Sequence, residues 1–138
     1  MIHSTSVSLR WSDTDSQGHI NHALLLTLLE EARSRWITSG SPSLVSNIVA
    51  ARIEIDYHAP LLYSEGEVTV MTRVDRVGTK SFRLSQSLTS ARADGPTFAC
   101  ANVVIVAFTP NTQTSRTLSS IERAWLLRYA EERPSKHD

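Results

Sequence analysis

Residues 11–37 read WSDTDSQGHINHALLLTLLEEARSRWI, and the fold turns on this stretch. Its first half packs two carboxylates (Asp13, Asp15), two imidazoles (His19, His22), two amides (Gln17, Asn21) and Gly18 directly before an apolar helical run. The first N–H groups of a helix lack intrahelical partners and carry roughly half a positive charge, so negative charge developing there is stabilised. From 23 to 37 the apolar positions Ala23, Leu24, Leu25, Leu26, Leu28, Leu29, Ala32, Trp36 and Ile37 cover more than one face, which predicts a helix buried on most sides. Gly40 and Pro42 supply its stop.

On the N-terminal side, Val7, Leu9 and Trp11 alternate with Ser8, Arg10 and Ser12, the period of a half-buried strand running into the Asp13 turn. On that reading Asp13 and Asp15 share a strand face. On the C-terminal side the period-2 pattern returns over 48–57, 67–77 and 81–89, and 97–109 is almost continuously apolar. Pro60, Ser64-Glu65-Gly66, Gly78 and Ala93-Asp94-Gly95-Pro96 punctuate these four strands, and such short links predict antiparallel neighbours. A last amphipathic helix is expected over 120–132, opened by a Ser119/Glu122 capping box, with the tail fraying after Pro134. One apolar helix under a curled five-stranded sheet leaves sheet edge and apolar surface uncovered, and dimerisation is the economical remedy.

At 138 residues, 41% of them hydrophobic, the chain has the size of a single domain, 1–138, with an ordered core expected over about 5–132. Fourteen basic residues balance fourteen acidic ones, so no long-range field recruits nucleic acid or an anionic membrane. No basic segment followed by an apolar run and no stretch of about 18 apolar residues is present, so a leader and a membrane span are not expected and the cytoplasm is the expected address. Cys100, the single cysteine, reads as a buried, inert thiol within 98–108.

Three segments, taken together in order and spacing, carry a family likeness: Trp11-Ser12-Asp13-Thr14-Asp15 with Gly18-His19-Ile20-Asn21; Glu30-Glu31-Ala32-Arg33; and Ile55-Asp56-Tyr57 through Pro60, followed by Val77-Gly78 and Ser81-Phe82. Over roughly 5–110 the chain resembles the hot-dog-fold acyl-CoA thioesterases, in the branch typified by 4-hydroxybenzoyl-CoA thioesterase and its bacterial acyl-CoA relatives. The resemblance implies an α+β hot-dog fold, an antiparallel five-stranded sheet wrapped around one long helix, with a short C-terminal helix added. It also implies a homodimer, often paired into a dimer of dimers, with the site at the protomer interface and the thioester carbonyl near the N-terminus of the long helix. The substrate would be acyl-CoA, hydrolysed to free acid and CoA with neither metal nor cofactor.

In that family an aspartate before the helix is nucleophile or general base, and the matching residue here is Asp15. Plant acyl-carrier-protein thioesterases, which look like distant relatives, place Asn and His where this chain has Gln17 and His19. His22 stands where many relatives have a second Asn, and Leu25 and Leu26 where an aromatic is common; these departures bear on the acyl preference. The resemblance makes Asp15, Gly18 and His19 the catalytic candidates and Gln17, Asn21, His22, Tyr57, Lys80 and Ser81 the candidate substrate contacts. A backbone N–H of Gly18 or His19 is the better carbonyl donor, because an amide at a helix terminus needs no particular side chain.

Plainer readings stand beside these. Asp13 and Asp15 could serve only as turn or capping residues, Asn21 could only bond the turn, and Glu31 could be a mid-helix ion-pair partner of Arg33 or Arg35. Arg76, Lys80, Arg83 and Arg92 could meet CoA phosphates or form a solvated face. Two other functions compete: hydration of enoyl-CoA on the same fold, and a non-catalytic acyl-binding or assembly module.

Overall fold

The computed structural model describes residues 1–130, and in them the period-2 segments become one antiparallel sheet. Its strands are β1 (His3–Ser8), β2 (Ile48–Tyr57), β3 (Glu67–Val77), β4 (Ser81–Ser90) and β5 (Thr97–Thr109), in the order β1-β3-β4-β5-β2, with a two-residue β6 (Thr114–Ser115) paired to the end of β5. The long helix α1 (His22–Gly40) lies against this sheet and the short α2 (Ser120–Arg128) follows it. No helix among the described residues is long and apolar enough to cross a membrane.

The short-link rule holds for β3, β4 and β5 and fails for β2. That strand pairs with β5 at the far edge of the sheet, and the nine-residue link 58–66 carries the chain across to β3. Such a link is too long to enforce a hairpin, and the free position beside β5 takes β2.

At the N-terminal side the strand occupies His3–Ser8 and stops before Trp11; Trp11–Asp13 form a 3-10 turn. The cause is local. Arg10 grips Asp13 with two N–H groups, at 3.2 and 3.0 Å, and Leu9 N–H donates to the Gly66 carbonyl, so the chain curls away from the ladder. Asp13 and Asp15 therefore share no strand face.

Helix α1 begins with Asn21, whose side-chain oxygen accepts from Ala23 N–H at 2.9 Å, the usual amide cap. Its buried stripe is Leu25, Leu28, Leu29, Ala32, Arg33, Trp36 and Ile37, whereas Ala23, Glu30, Glu31, Ser34 and Arg35 are exposed. The helix is thus covered on one broad face, not on most sides, because one sheet can cover only one side of a cylinder. Gly40 belongs to the helix. A Cβ there would come within 2.2 Å of Trp125 Nε1, so this glycine admits the Trp125 ring, and Ser41 ends the helix.

That ring matters because α2 docks through it. Trp36 is fully buried, stacked on Trp125 with ring centroids 4.7 Å apart and met edge-on by Tyr129 at 5.2 Å. The expected capping box forms at Ser119 and Glu122, but α2 ends at Arg128, four residues short of the expected 132; positions 131 onward, including the tail after Pro134, lie outside the described residues. Along β5, residues 99, 101, 103, 105 and 107 face the core, and the intervening Cys100 is half-buried on the outer face, not in the core. A continuously apolar sequence hides that alternation.

Candidate functional site

The ladder register sorts the molecule into two ends. Val77, Ser81, Val106 and Ile48 lie at one end, and Tyr57, Glu67, Ser90 and Thr97 at the other. The Asp15 loop belongs to the second end, where Thr14 pairs with Ile20, His19 pairs with Leu62, and Ile20 N–H donates to the Leu61 carbonyl. The nine-residue crossover is therefore what holds the loop.

Within the loop Asp15 organises its own neighbourhood. Its Oδ1 accepts from the backbone N–H of Gln17 (2.9 Å) and of His19 (3.0 Å), and its own N–H donates to the His19 carbonyl. Gly18 supplies the reversal at φ +78°, a conformation that side chains disfavour. The amide bonds, first from Gln17, hold the Asp15 carboxyl below its ordinary range, so it is ionised at neutral pH. Its Oδ2 has no partner among the described residues.

The two amides expected to polarise a carbonyl are both engaged, since Gly18 N–H donates to the Asp15 carbonyl at 3.2 Å and His19 N–H to the Asp15 side chain. The N–H of His22, the first residue of α1, has no partner among the described residues. His22 also stacks its ring on Tyr57, centroids 4.4 Å apart, and its carbonyl accepts from the Tyr57 hydroxyl at 3.2 Å. Asp15, His19, Asn21, His22, Leu25 and Tyr57 line one pocket of about 300 Å³ together with Ala59, Pro60 and Leu61.

Among the expected site residues, Asp15, His19, Asn21, His22 and Tyr57 are brought together. Gly18 and Gln17 shape the loop through their backbones without lining the pocket, and Asn21 doubles as the helix cap. Lys80 and Ser81 sit at the opposite end of the sheet, about 30 Å away along β2 at roughly 3.3 Å per residue. Arg76 and Arg83 stand there too, directly opposite each other in the β3–β4 ladder. Arg92 is ion-paired with Glu65 at the Asp15 end. Asp13 is nearly buried and held by Arg10, and Glu31 pairs with Arg35 at 2.5 Å, not with Arg33.

Two inward polar residues escaped the sequence reading. Arg33 and Gln86 meet between α1 and the sheet, the arginine donating to Gln86 Oε1 at 2.9 Å. The signal was present: position 33 falls on the apolar stripe with Leu29 and Ile37, and 86 keeps phase with Phe82, Leu84 and Leu88. Among the described residues no three His, Cys, Asp or Glu side chains gather as a metal site.

Comparison with known proteins places this geometry. The family model of the thioesterase superfamily matches residues 17–94, beginning two residues after Asp15. Among solved structures, a thioesterase from Thermus thermophilus complexed with coenzyme A and Zn is 28% identical, with 92% of this chain and 93% of that one covered and a TM-score of 0.79. A predicted thioesterase from Bacillus stearothermophilus is 26% identical over 94% and 96% of the two chains, with a TM-score of 0.81. The probable thioesterase YbaW from Escherichia coli is also 26% identical, over 93% and 98%, with a TM-score of 0.77. No curated protein sequence matches.

Proposed function

This chain belongs to the thioesterase superfamily and is a thioester hydrolase, and from that premise we propose that it cleaves acyl-CoA to free acid and CoA at the Asp15 pocket. The observation that carries the assignment is that Asp15, an ionised carboxylate with one oxygen unpartnered, and His22, the first residue of α1 with its N–H unpartnered, line one pocket. Asp15 acts as general base or as nucleophile. As base it takes a proton from water while the hydroxide attacks the carbonyl carbon. The oxyanion is met by the His22 amide at the positive end of α1. On collapse the C–S bond breaks and the proton passes to the leaving thiolate. His19 and the stacked His22–Tyr57 pair orient the thioester.

A second copy completes the site. Strand β2 is a ten-residue sheet edge with Val49, Ile53 and Tyr57 exposed, a surface that invites pairing with another strand. Antiparallel pairing of two β2 strands sets the Ile48 end of one protomer beside the Tyr57 end of the other. The partner's β3–β4 end, with Lys80, Ser81, Arg76 and Arg83, then stands near this protomer's Asp15 loop, where cations can meet CoA phosphates. The CoA in the Thermus relative supports that substrate class.

An acyl-CoA panel followed by free-thiol release tests the reading. Thiol release is the expected result; loss of enoyl absorbance without thiol would assign hydration instead, and neither signal would leave an acyl-binding module.

A further inference from the structure

Arg33 is the only buried arginine among the described residues, at 8% exposure. Its single hydrogen bond is to the neutral Gln86, whose own amide is committed to the Leu29 carbonyl (3.2 Å) and the Thr72 hydroxyl (3.0 Å). Its remaining N–H groups have no partner among the described residues, and no carboxylate there comes within ion-pair distance; Glu30 acts on it only through space. Its unpartnered nitrogens are not buried, so the free edge of the guanidinium keeps contact with solvent and can take a carboxylate in its fork. Desolvation pulls its pKa down, with Glu30 opposing, the direction expected of an under-compensated cation.

Arg33 lines a cavity of about 320 Å³ between α1 and the β2 edge, with Glu30 and Ser34 beside it on the helix and Leu44, Ile53 and Ile105 among its apolar walls. That volume is near the lower end for small-molecule sites, about 300–1,000 Å³. The cavity is not the Asp15 pocket: Arg33 stands eleven residues beyond His22, about 16 Å along α1 at 1.5 Å per residue.

We infer that this cavity takes the far end of the acyl group and that Arg33 selects acyl groups ending in a second carboxylate, as in dicarboxylic acyl-CoA. The apolar walls suit the methylenes, and the free edge of a planar guanidinium suits a carboxylate in a way a methyl end cannot match. Glu30, exposed on the helix, is the opposing charge and sets how strongly anions are favoured. The inference rests on the acyl-CoA reading above.

Length-matched pairs long enough to span that distance along α1 (dodecanedioyl- with dodecanoyl-CoA, tetradecanedioyl- with tetradecanoyl-CoA) are compared by kcat/KM in the wild-type protein, in R33M and in S34E, and each protein's melting is followed with free suberate. The expected result is at least a tenfold preference for the dicarboxylic member of a pair, lost in R33M, with suberate raising the wild-type Tm only. S34E puts a carboxylate at an exposed helix position on the cavity wall, so it removes the preference even if R33M does not fold. Thioester hydrolysis without a dicarboxylic preference, or a preference that survives in folded S34E, overturns the inference and leaves the general function standing. Failure to hydrolyse any thioester overturns the function, and the suberate response then decides the cavity alone: a wild-type rise absent in S34E upholds it, and no rise overturns it.

Discussion

Replacing Glu122 by Gln tests how the α2 end of the molecule is held. Glu122 is 1% exposed and accepts from Arg116 at 2.8 and 2.9 Å, from Ser119 N–H at 2.8 Å and from Ser43 at 2.9 Å. Arg116 above all lowers its pKa from an ordinary 4.5 to about 2. At about 1.4 kcal/mol per pH unit, the charged form adds at most about 3 kcal/mol to folding, and Arg116's partial exposure trims that to about 2 kcal/mol. The native pKa is depressed, so this stability is present above pH 4.5 and is lost as pH falls from there towards 2. E122Q keeps the shape and the Ser119 contact but removes the charge and leaves Arg116 without its counter-ion. Urea unfolding at steps from pH 7 to pH 2.5 is expected to show E122Q less stable by about 2 kcal/mol at pH 7, with the two proteins converging in acid. Equal stability at pH 7, or a gap that stays constant into acid, would refute the argument.

Asp15→Asn keeps an acceptor for the Gln17 and His19 amides, so the loop should hold while turnover falls by about 10² to 10⁴; Asp15→Ala frees both amides and should lower Tm as well, and near-normal turnover in folded D15N would remove Asp15 from the mechanism. Because the Asp15 carboxyl is held below its ordinary range and acts ionised, the acid limb of the pH–rate profile should lie below about pH 4; a limb above that value would contradict it. His19→Ala should cost less than D15N, since its backbone contact to Asp15 survives the truncation, and a loss as large as that of D15N would make the imidazole the base. Two lysines on the free edge, V49K with A51K, should give a monomer by light scattering and a lower kcat/KM with the Asp15 loop untouched; an unchanged oligomer with unchanged activity would place the partner elsewhere.

What was legible in the sequence is what local physics determines. Strands β2, β3 and β4 announce themselves by period and turn residues, β5 by its apolar run after a turn, and the Ser119/Glu122 box by spacing alone. The crossover of β2 to the far edge was not legible, because pairing partners are chosen by the whole sheet and a nine-residue link constrains them weakly. The same distinction runs through the site. A helix N-terminus was readable, but not that the Asp15 side chain turns back onto the Gln17 and His19 amides of the loop before it while Asn21 caps the helix at Ala23. In that turn Oδ1 is the capping acceptor of the plainer reading, and Oδ2 is left without a partner among the described residues. The turn also occupies the His19 amide, and the donor proposed in its place is the N–H of His22, seven residues beyond the carboxylate. Lys80 and Ser81 extend the argument beyond one protomer. They stand about 30 Å along β2 from Asp15, and the proposed antiparallel pairing of two β2 edges is what supplies them to this loop from a second copy.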